Sequence, residues 1–233
     1  MNLLAVDTSS GQGSLALARD DGWCEMATLP GEWKSTTLHT EIARLLGRHG
    51  LKSRNLDGYV VANGPGTFTG LRIGLTAVKA LAEVHGKPII TISTLEVLAA
   101  AGRDTLAAQF SGGLAALLDA RRGQIFGALF RTEGSALLPV IPDCVCPLKI
   151  FLERVRAANC NKMHFCATEL NRFAGEISQA GWNEISHLAV SPDLAGTLAR
   201  MGIERLKQGM GLAAEAAEAN YVRPSDAELF WKG

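Results

Sequence analysis

Residues 63–74 read NGPGTFTGLRIG, four glycines and a proline in twelve residues, set between the apolar run LDGYVVA (56–62) and the helical stretch LRIGLTAVKALAEVHG (71–86). A backbone so bare of side chains suits close approach, and either a phosphate or another helix could be what approaches. The phosphate motifs fail. A P-loop would end Gly-Lys-Ser/Thr, whereas this stretch ends Gly70-Leu71-Arg72, and the spacing of Gly64, Gly66 and Gly70 is one residue too long for a dinucleotide fingerprint. An anion at the helix N-terminus stays open, as it does for any helix.

The helix carries two apolar stripes. Gly70, Gly74, Ala77, Leu81 and Val84 form one, Leu71, Leu75, Val78 and Ala82 the other, with Arg72, Lys79 and Glu83 charged. Two stripes imply two buried contacts. One packs on a sheet, and the small-residue stripe admits another helix at close range. That helix is either a partner's or the chain's own preceding one, STTLHTEIARLLGRHG (35–50), whose Leu38, Ile42, Leu45 and Leu46 recur at helical spacing.

Outward from this stretch, LLAVD (3–7), SLALARD (14–20) and CEMATL (24–29) read as a meander of three strands, and PIITI (88–92) and TLEVLAAAG (94–102) as a strand and a helix. The alternation argues for an α/β layer fold. Residues 115–131 then overlay residues 3–19 without gaps, Asp7 on Asp119, Gly11 on Gly123, Gln12 on Gln124 and Arg19 on Arg131. A helix (149–159), a strand (163–168) and a helix (169–181) follow. We expect two duplicated α/β domains, 1–105 and 106–190, each a mixed sheet with helices. A final helix is expected from about Pro192, capped by Ser191, to about Gln208, with the C-terminal helical segment as a whole taken over 191–219 and packed back on the first domain.

Lys plus Arg equals Asp plus Glu at 23 each, so the chain lacks the basic excess of a stand-alone nucleic-acid binder. No run approaches the ~20 apolar residues of a membrane span, and a cytoplasmic location is expected. Five cysteines without a CxxC pair or a histidine at zinc spacing read as reduced structural thiols. His39, His49, His85, His164 and His187 include no pair three or four apart, and there is no G-x-S-x-G elbow. Neither a catalytic residue nor a metal site is expected. Arg121 and Arg122 sit on a turn, where they meet a phosphate or, more commonly, solvent. The tail DAELFWKG carries Phe230 and Trp231, which fold back or touch a neighbour.

The duplicated strand-Asp-turn-strand unit resembles the actin, sugar kinase and Hsp70 superfamily, in which two such hairpins pinch the phosphates of ATP and first-strand aspartates hold the metal-bound water. On that resemblance Asp7, Thr8 and Asp119 are a candidate residual nucleotide cleft; equally, each aspartate merely caps its own turn. The blocks NGPGTFTGLRIG, GKPIITISTLEVLA (86–99), DARRGQIFGALF (119–130) and NYVRPSD (220–226) are similar to the TsaB (YeaZ) family over almost the whole chain. That resemblance implies a non-catalytic subunit of the machinery that installs threonylcarbamoyl on the adenosine beside the tRNA anticodon. It also implies the catalytic subunit TsaD as heterodimer partner, cooperation with the ATPase TsaE, tRNA contact only through the complex, and a homodimer when alone. The interface it implies comprises Leu38, Ile42, Leu45, Gly70, Ile73, Gly74, Ala77 and Leu81, so a charge at Gly74 would abolish association and spare the fold. One departure bears on cofactors: HFCATELNRF (164–173), where the superfamily has a Gly-rich adenine loop, carries no glycine. Weak Mg-ATP binding at most is expected. The alternatives are a stand-alone ATP-dependent small-molecule kinase of the same superfamily and a peptidase.

Overall fold

The computed structural model describes residues 1–29, 35–106, 110–134, 136–160, 162–182 and 184–223. Phe230 and Trp231 lie outside the described residues. The chain divides into two compact units, residues 1–97 with 192–220 and residues 98–191 with 221–233.

In the first unit, β1 (Asn2–Asp7), β2 (Ser14–Arg19) and β3 (Cys24–Thr28) form an antiparallel meander. β4 (Gly58–Ala62) and β5 (Ile89–Ile92) continue the sheet in parallel, giving the order β3-β2-β1-β4-β5. Helices α1 (Ser35–Arg48) and α2 (Phe68–His85) make the crossovers. Because both faces of the central strands are covered, Leu3 to Val6 are all fully buried and read as an unbroken apolar run. Edge strand β3 instead alternates, and its Met26 is half exposed. One face of the sheet presents Leu4, Val6, Leu15, Leu17, Tyr59 and Val61 to α1 and α2.

The opposite face carries small residues because α6 (Ala195–Lys207) lies close upon it: a Cβ on Gly202 would stand 2.8 Å from Cβ of Val60. The expected helical segment over 191–219 is therefore too long at both ends. The helix starts at Ala195, whose N–H donates to Ser14 Oγ on β2 (3.1 Å). At the other end Gly209 (φ +74) donates to the Leu206 carbonyl and Met210 to that of Arg205, both at 3.0 Å, the two bonds of a Schellman stop. The segment LAAEAAEAN (212–220) beyond it has high helix propensity yet forms a strap with one short 3-10 turn at Ala214–Ala216. Tertiary bonds override that propensity. Leu212 exchanges two backbone bonds with Ile89 (2.8 and 2.9 Å), Lys79 Nζ donates to the Ala217 carbonyl (3.0 Å), and Asn63 Nδ2 to that of Glu218 (3.0 Å).

The second unit repeats the topology. β6 (Gly112–Asp119), β7 (Ile125–Glu133), β8 (Ala136–Cys146), β9 (Met163–Ala167) and β10 (Ile185–Ala189) order as β10-β9-β6-β7-β8, the first sheet's order traversed from its other edge. The hairpins that align in sequence, β1–β2 and β6–β7, occupy the same places. α4 (Leu148–Ala157) and α5 (Ala174–Gln179) cover one face around Phe151, Phe165 and Ile177. α3 (Thr94–Arg103) runs from the first unit into the second, where its Gly102 lies against Cys166 of β9. The chain is thus an α/β protein of two duplicated mixed sheets, as the hairpin repeat predicts. Strands β8 and β10 are additions to the sequence reading. No helix among the described residues is long and apolar enough to cross a membrane.

Gly202 gives a direct check on the α6 packing. Gly202→Leu would force α6 off Val60, and urea denaturation should report a loss of roughly 1–3 kcal/mol or more, the cost of overpacking.

Candidate partner-binding helices and residual nucleotide cleft

What approaches the Gly-rich stretch is the chain's own backbone at the end of β1. A Cβ on Gly66 would collide with the Ser9 carbonyl, one on Gly70 with the Thr8 carbonyl, and one on Gly74 with the Thr8 hydroxyl. Two hydrogen bonds lock the approach: Thr67 N–H donates to the Ser9 carbonyl (2.7 Å) and Thr8 Oγ1 to the Gly70 carbonyl (2.8 Å). With the start so fixed, α2 stops at Gly86 (φ +59), whose N–H reaches the Ala82 and Glu83 carbonyls.

This contact reverses the expected orientation of the small-residue stripe. Gly70 and Gly74 face the end of β1, and Ala77 (4% exposed) lies in the core with Leu38, Ile42 and Leu45 of α1. None of these six presents a side chain to solvent. Ile73 and Leu81 are half-buried at the border of the same core. The outward face is a different set. On α1 its exposed residues include Thr36, Thr40, Ala43 and Arg44, and on α2 Arg72, Thr76, Ala80, Glu83 and Val84, the last 77% exposed. At the start of α2, Phe68 is also exposed, with the Arg72 guanidinium 3.7 Å from its ring centroid. The sequence signal for this face was the period itself: residues 76, 80 and 84 are spaced by one turn, and all are small or β-branched.

The candidate nucleotide residues fall in separate units. Asp7 is 1% exposed; its Oδ1 accepts from Ser9 N (3.0 Å) and Ser9 Oγ (2.7 Å), while Oδ2 is buried without a partner. Burial pushes the Asp7 carboxyl above the usual carboxylate range; the Ser9 bonds oppose that rise and Asp193 adds to it. Thr8 is fully buried, and its hydroxyl is committed to Gly70. In the second unit, Asp119 Oδ1 accepts from Arg121 N–H (2.9 Å), the bond expected of a turn cap. Asp119 Oδ2 is held by the Arg172 guanidinium, with Arg121 Nη1 3.4 Å away. Arg172 comes from the glycine-free segment, whose Leu170 and Phe173 are buried in the core of that unit.

Neither half presents an open carboxylate for a magnesium-bound triphosphate: Asp7 is buried, and Asp119 is held by Arg172 with Arg121 beside it. The histidines are also dispersed. His49 Nε2 lies 2.6 Å from Glu25 Oε2 and His85 Nε2 2.8 Å from Ser53 Oγ, while the ring of His164 meets that of Phe110 edge-on. Among the described residues no three His, Cys, Asp or Glu side chains gather as a metal cluster, and all five cysteines are free thiols.

Two outcomes follow. Gly74→Arg should unfold the chain, because the new side chain has only Thr8 to enter; thermal melting that stays normal would contradict the inward orientation. Asp7→Asn should raise Tm at pH 7.5 by a few degrees. A carboxyl whose pKa is raised on folding takes up protons as the chain folds, so its favourable state is complete below the ordinary value of 3.8 and is lost as pH climbs through the folded value. The gain from Asn should therefore shrink toward acid pH in parallel melts.

A family model described as TsaD, tRNA N6-adenosine threonylcarbamoyltransferase, matches residues 34–222. The tRNA threonylcarbamoyladenosine biosynthesis protein TsaB of Bacillus subtilis is 36% identical over 157 residues, 67% of this chain and 66% of that protein. The chain thus spans just under two thirds of that relative, and 52% of the TsaB of Haemophilus influenzae, to which it is 29% identical. Among solved structures, YeaZ from Pseudomonas aeruginosa superposes with a TM-score of 0.75 at 24% identity, over 94% of this chain and 99% of that one. A ROK hexokinase from Thermus thermophilus superposes at 0.51 with 12% identity, over 90% of this chain and 100% of that one, which shows a shared fold alone. By the family model, the chain belongs to the tRNA N6-adenosine threonylcarbamoyltransferase family, and within it is similar to the TsaB proteins.

Proposed function

We propose that this protein is a non-catalytic subunit in the biosynthesis of threonylcarbamoyladenosine in tRNA, and that it acts by docking the catalytic subunit TsaD on the outward face of α1 and α2. The observation that carries the reading is that face itself. Thr36, Thr40 and Ala43 on one helix and Thr76, Ala80 and Val84 on the other offer low side chains on two packed helices, with Arg44, Arg72 and Glu83 exposed beside them. Such a surface lets a second helix pair approach closely. Ile73 and Leu81 border it and would complete its burial.

The non-catalytic role is supported by the state of the two aspartates. A sealed Asp7 and an arginine-held Asp119 offer no open pair of carboxylates for a metal-bound nucleotide. Transfer chemistry and metal are assigned to TsaD, with TsaE as a further member and tRNA met through the complex. A kinase reading would need the aspartates open, and no feature of the site favours it.

Ala80→Arg tests the docking face. Desolvating an unpaired guanidinium costs about 3–5 kcal/mol, so association with TsaD, followed by calorimetry, should weaken at least about a hundredfold. The melt of the free variant should not change, since Ala80 points to solvent. Normal binding by this variant would remove the α1–α2 face as the dock. Titration of the isolated chain with Mg-ATP should give no saturable heat; a tight signal lost in Asp7→Asn would restore the kinase reading.

A further inference from the structure

The second unit holds a cavity that the partner reading leaves unused. Helices α4 and α5 diverge around a space of about 390 Å³, within the range of small-molecule pockets. Lys149, Leu152, Glu153 and Arg156 line it from one stripe of α4, at i, i+3, i+4 and i+7. Across from them stand Glu176 and Gln179 of α5, with Ala180 just beyond. Leu152 is buried and forms an apolar floor.

The four charged side chains around this floor, Lys149, Glu153, Arg156 and Glu176, are all exposed. Two pairs of opposite charges one turn apart close on each other, Glu41 with Arg44 at 3.2 Å and Glu169 with Arg172 at 2.9 Å. Glu153 and Arg156 have the same i, i+3 spacing, yet among the described residues no ion pair joins Lys149, Glu153, Arg156 and Glu176. Arg156 is drawn aside: its guanidinium lies over the Trp182 ring, 5.3 Å from the centroid. Gly181 (φ +75) makes room for it, since a Cβ there would stand 3.3 Å from Nη2. Two cations and two carboxylates are thus kept apart around one apolar floor.

An inorganic anion in this space would face both glutamates, and a simple cation would face Lys149 and Arg156. A ligand that carries both signs a short distance apart satisfies all four. We propose that the α4–α5 cavity binds a small zwitterion of the aliphatic α-amino-acid class. Its carboxylate lies toward Arg156 and Lys149, its ammonium toward Glu153 and Glu176, and its side chain on Leu152 and Ala180. Guanidinium and carboxylate partners supply the stronger, charge-assisted kind of hydrogen bond. This site is independent of the docking face and of the threonylcarbamoylation reading.

The test is an NMR titration of the full chain with L-leucine, with leucinamide, which keeps only the positive charge, and with N-acetyl-leucine, which keeps only the negative. The expected result is a saturable shift of amides in residues 149–156 and 176–182 with L-leucine, and binding about tenfold or more weaker for each analogue. Lys149→Gln and Glu176→Gln, both at exposed positions, should each weaken L-leucine binding with Tm unchanged. The proposal is overturned if those amides show no saturable shift, if either analogue binds as well as L-leucine, or if both variants bind it normally.

Discussion

The closest approach in the first unit is that of the Gly66–Gly74 backbone to Thr8 and Ser9 at the end of β1. It joins the first strand to the second crossover helix with no side chain between them. Glycine inside a helix costs roughly 0.5–1 kcal/mol relative to alanine, and α2 carries two such residues in its first two turns. The packing at Thr8 and the two bonds across the contact offset that cost. Because the approach fixes both the position and the rotation of α2, it determines which residues α2 buries against α1 and which it leaves outside. The proposed docking face would therefore be a consequence of a packing contact on the other side of the helix.

The same contact bears on chemistry. Thr8 is spent on Gly70 and Ser9 on Asp7, so the turn after β1 is closed around its own polar groups. In the second unit the corresponding turn is closed differently. Arg121 and Arg122 hold left-handed backbone (φ +62 and +54), Arg172 reaches Asp119, and Arg223 donates to the Ala120 carbonyl (2.8 Å). Both hairpins keep the topology of a phosphate-pinching pair while their carboxylates are engaged locally. A shared fold does not carry a shared reaction, and in the proposed function the surface of two helices replaces the turns as the functional feature.

Much of the architecture could be read from residues alone, because the β1–β2 and β6–β7 hairpins align without a gap and strand and helix periods alternate around them. Strand β8 was missed because Pro139 and Pro142 argue against a strand; its edge position tolerates them, since no outer neighbour needs their N–H. The C-terminal helical segment was read too long because alanine and glutamate favour helix locally, while Gly209 and the pairing of Leu212 with Ile89 stop it. The rotation of α2 could not be read at all. Its two stripes are equally apolar, and the choice between them is made by Thr8, 62 residues before Gly70. The pairing of Asp119 with Arg172 was likewise hidden, since Arg172 lies 53 residues away on a segment that was notable only for lacking glycine.

In the proposed function the outward face of α1 and α2, and no other apolar surface of the first unit, receives the partner. Hydroxyl-radical footprinting of the chain with and without TsaD reads this directly, because Phe68, Val84, Met26 and Met210 are all exposed in the free chain and differ in place. The account predicts that oxidation of Val84 and Phe68 falls when TsaD is added, while Met26 on the β3 edge and Met210 beyond α6 react as before. Protection of Met26 or Met210, with Val84 and Phe68 unchanged, would contradict it.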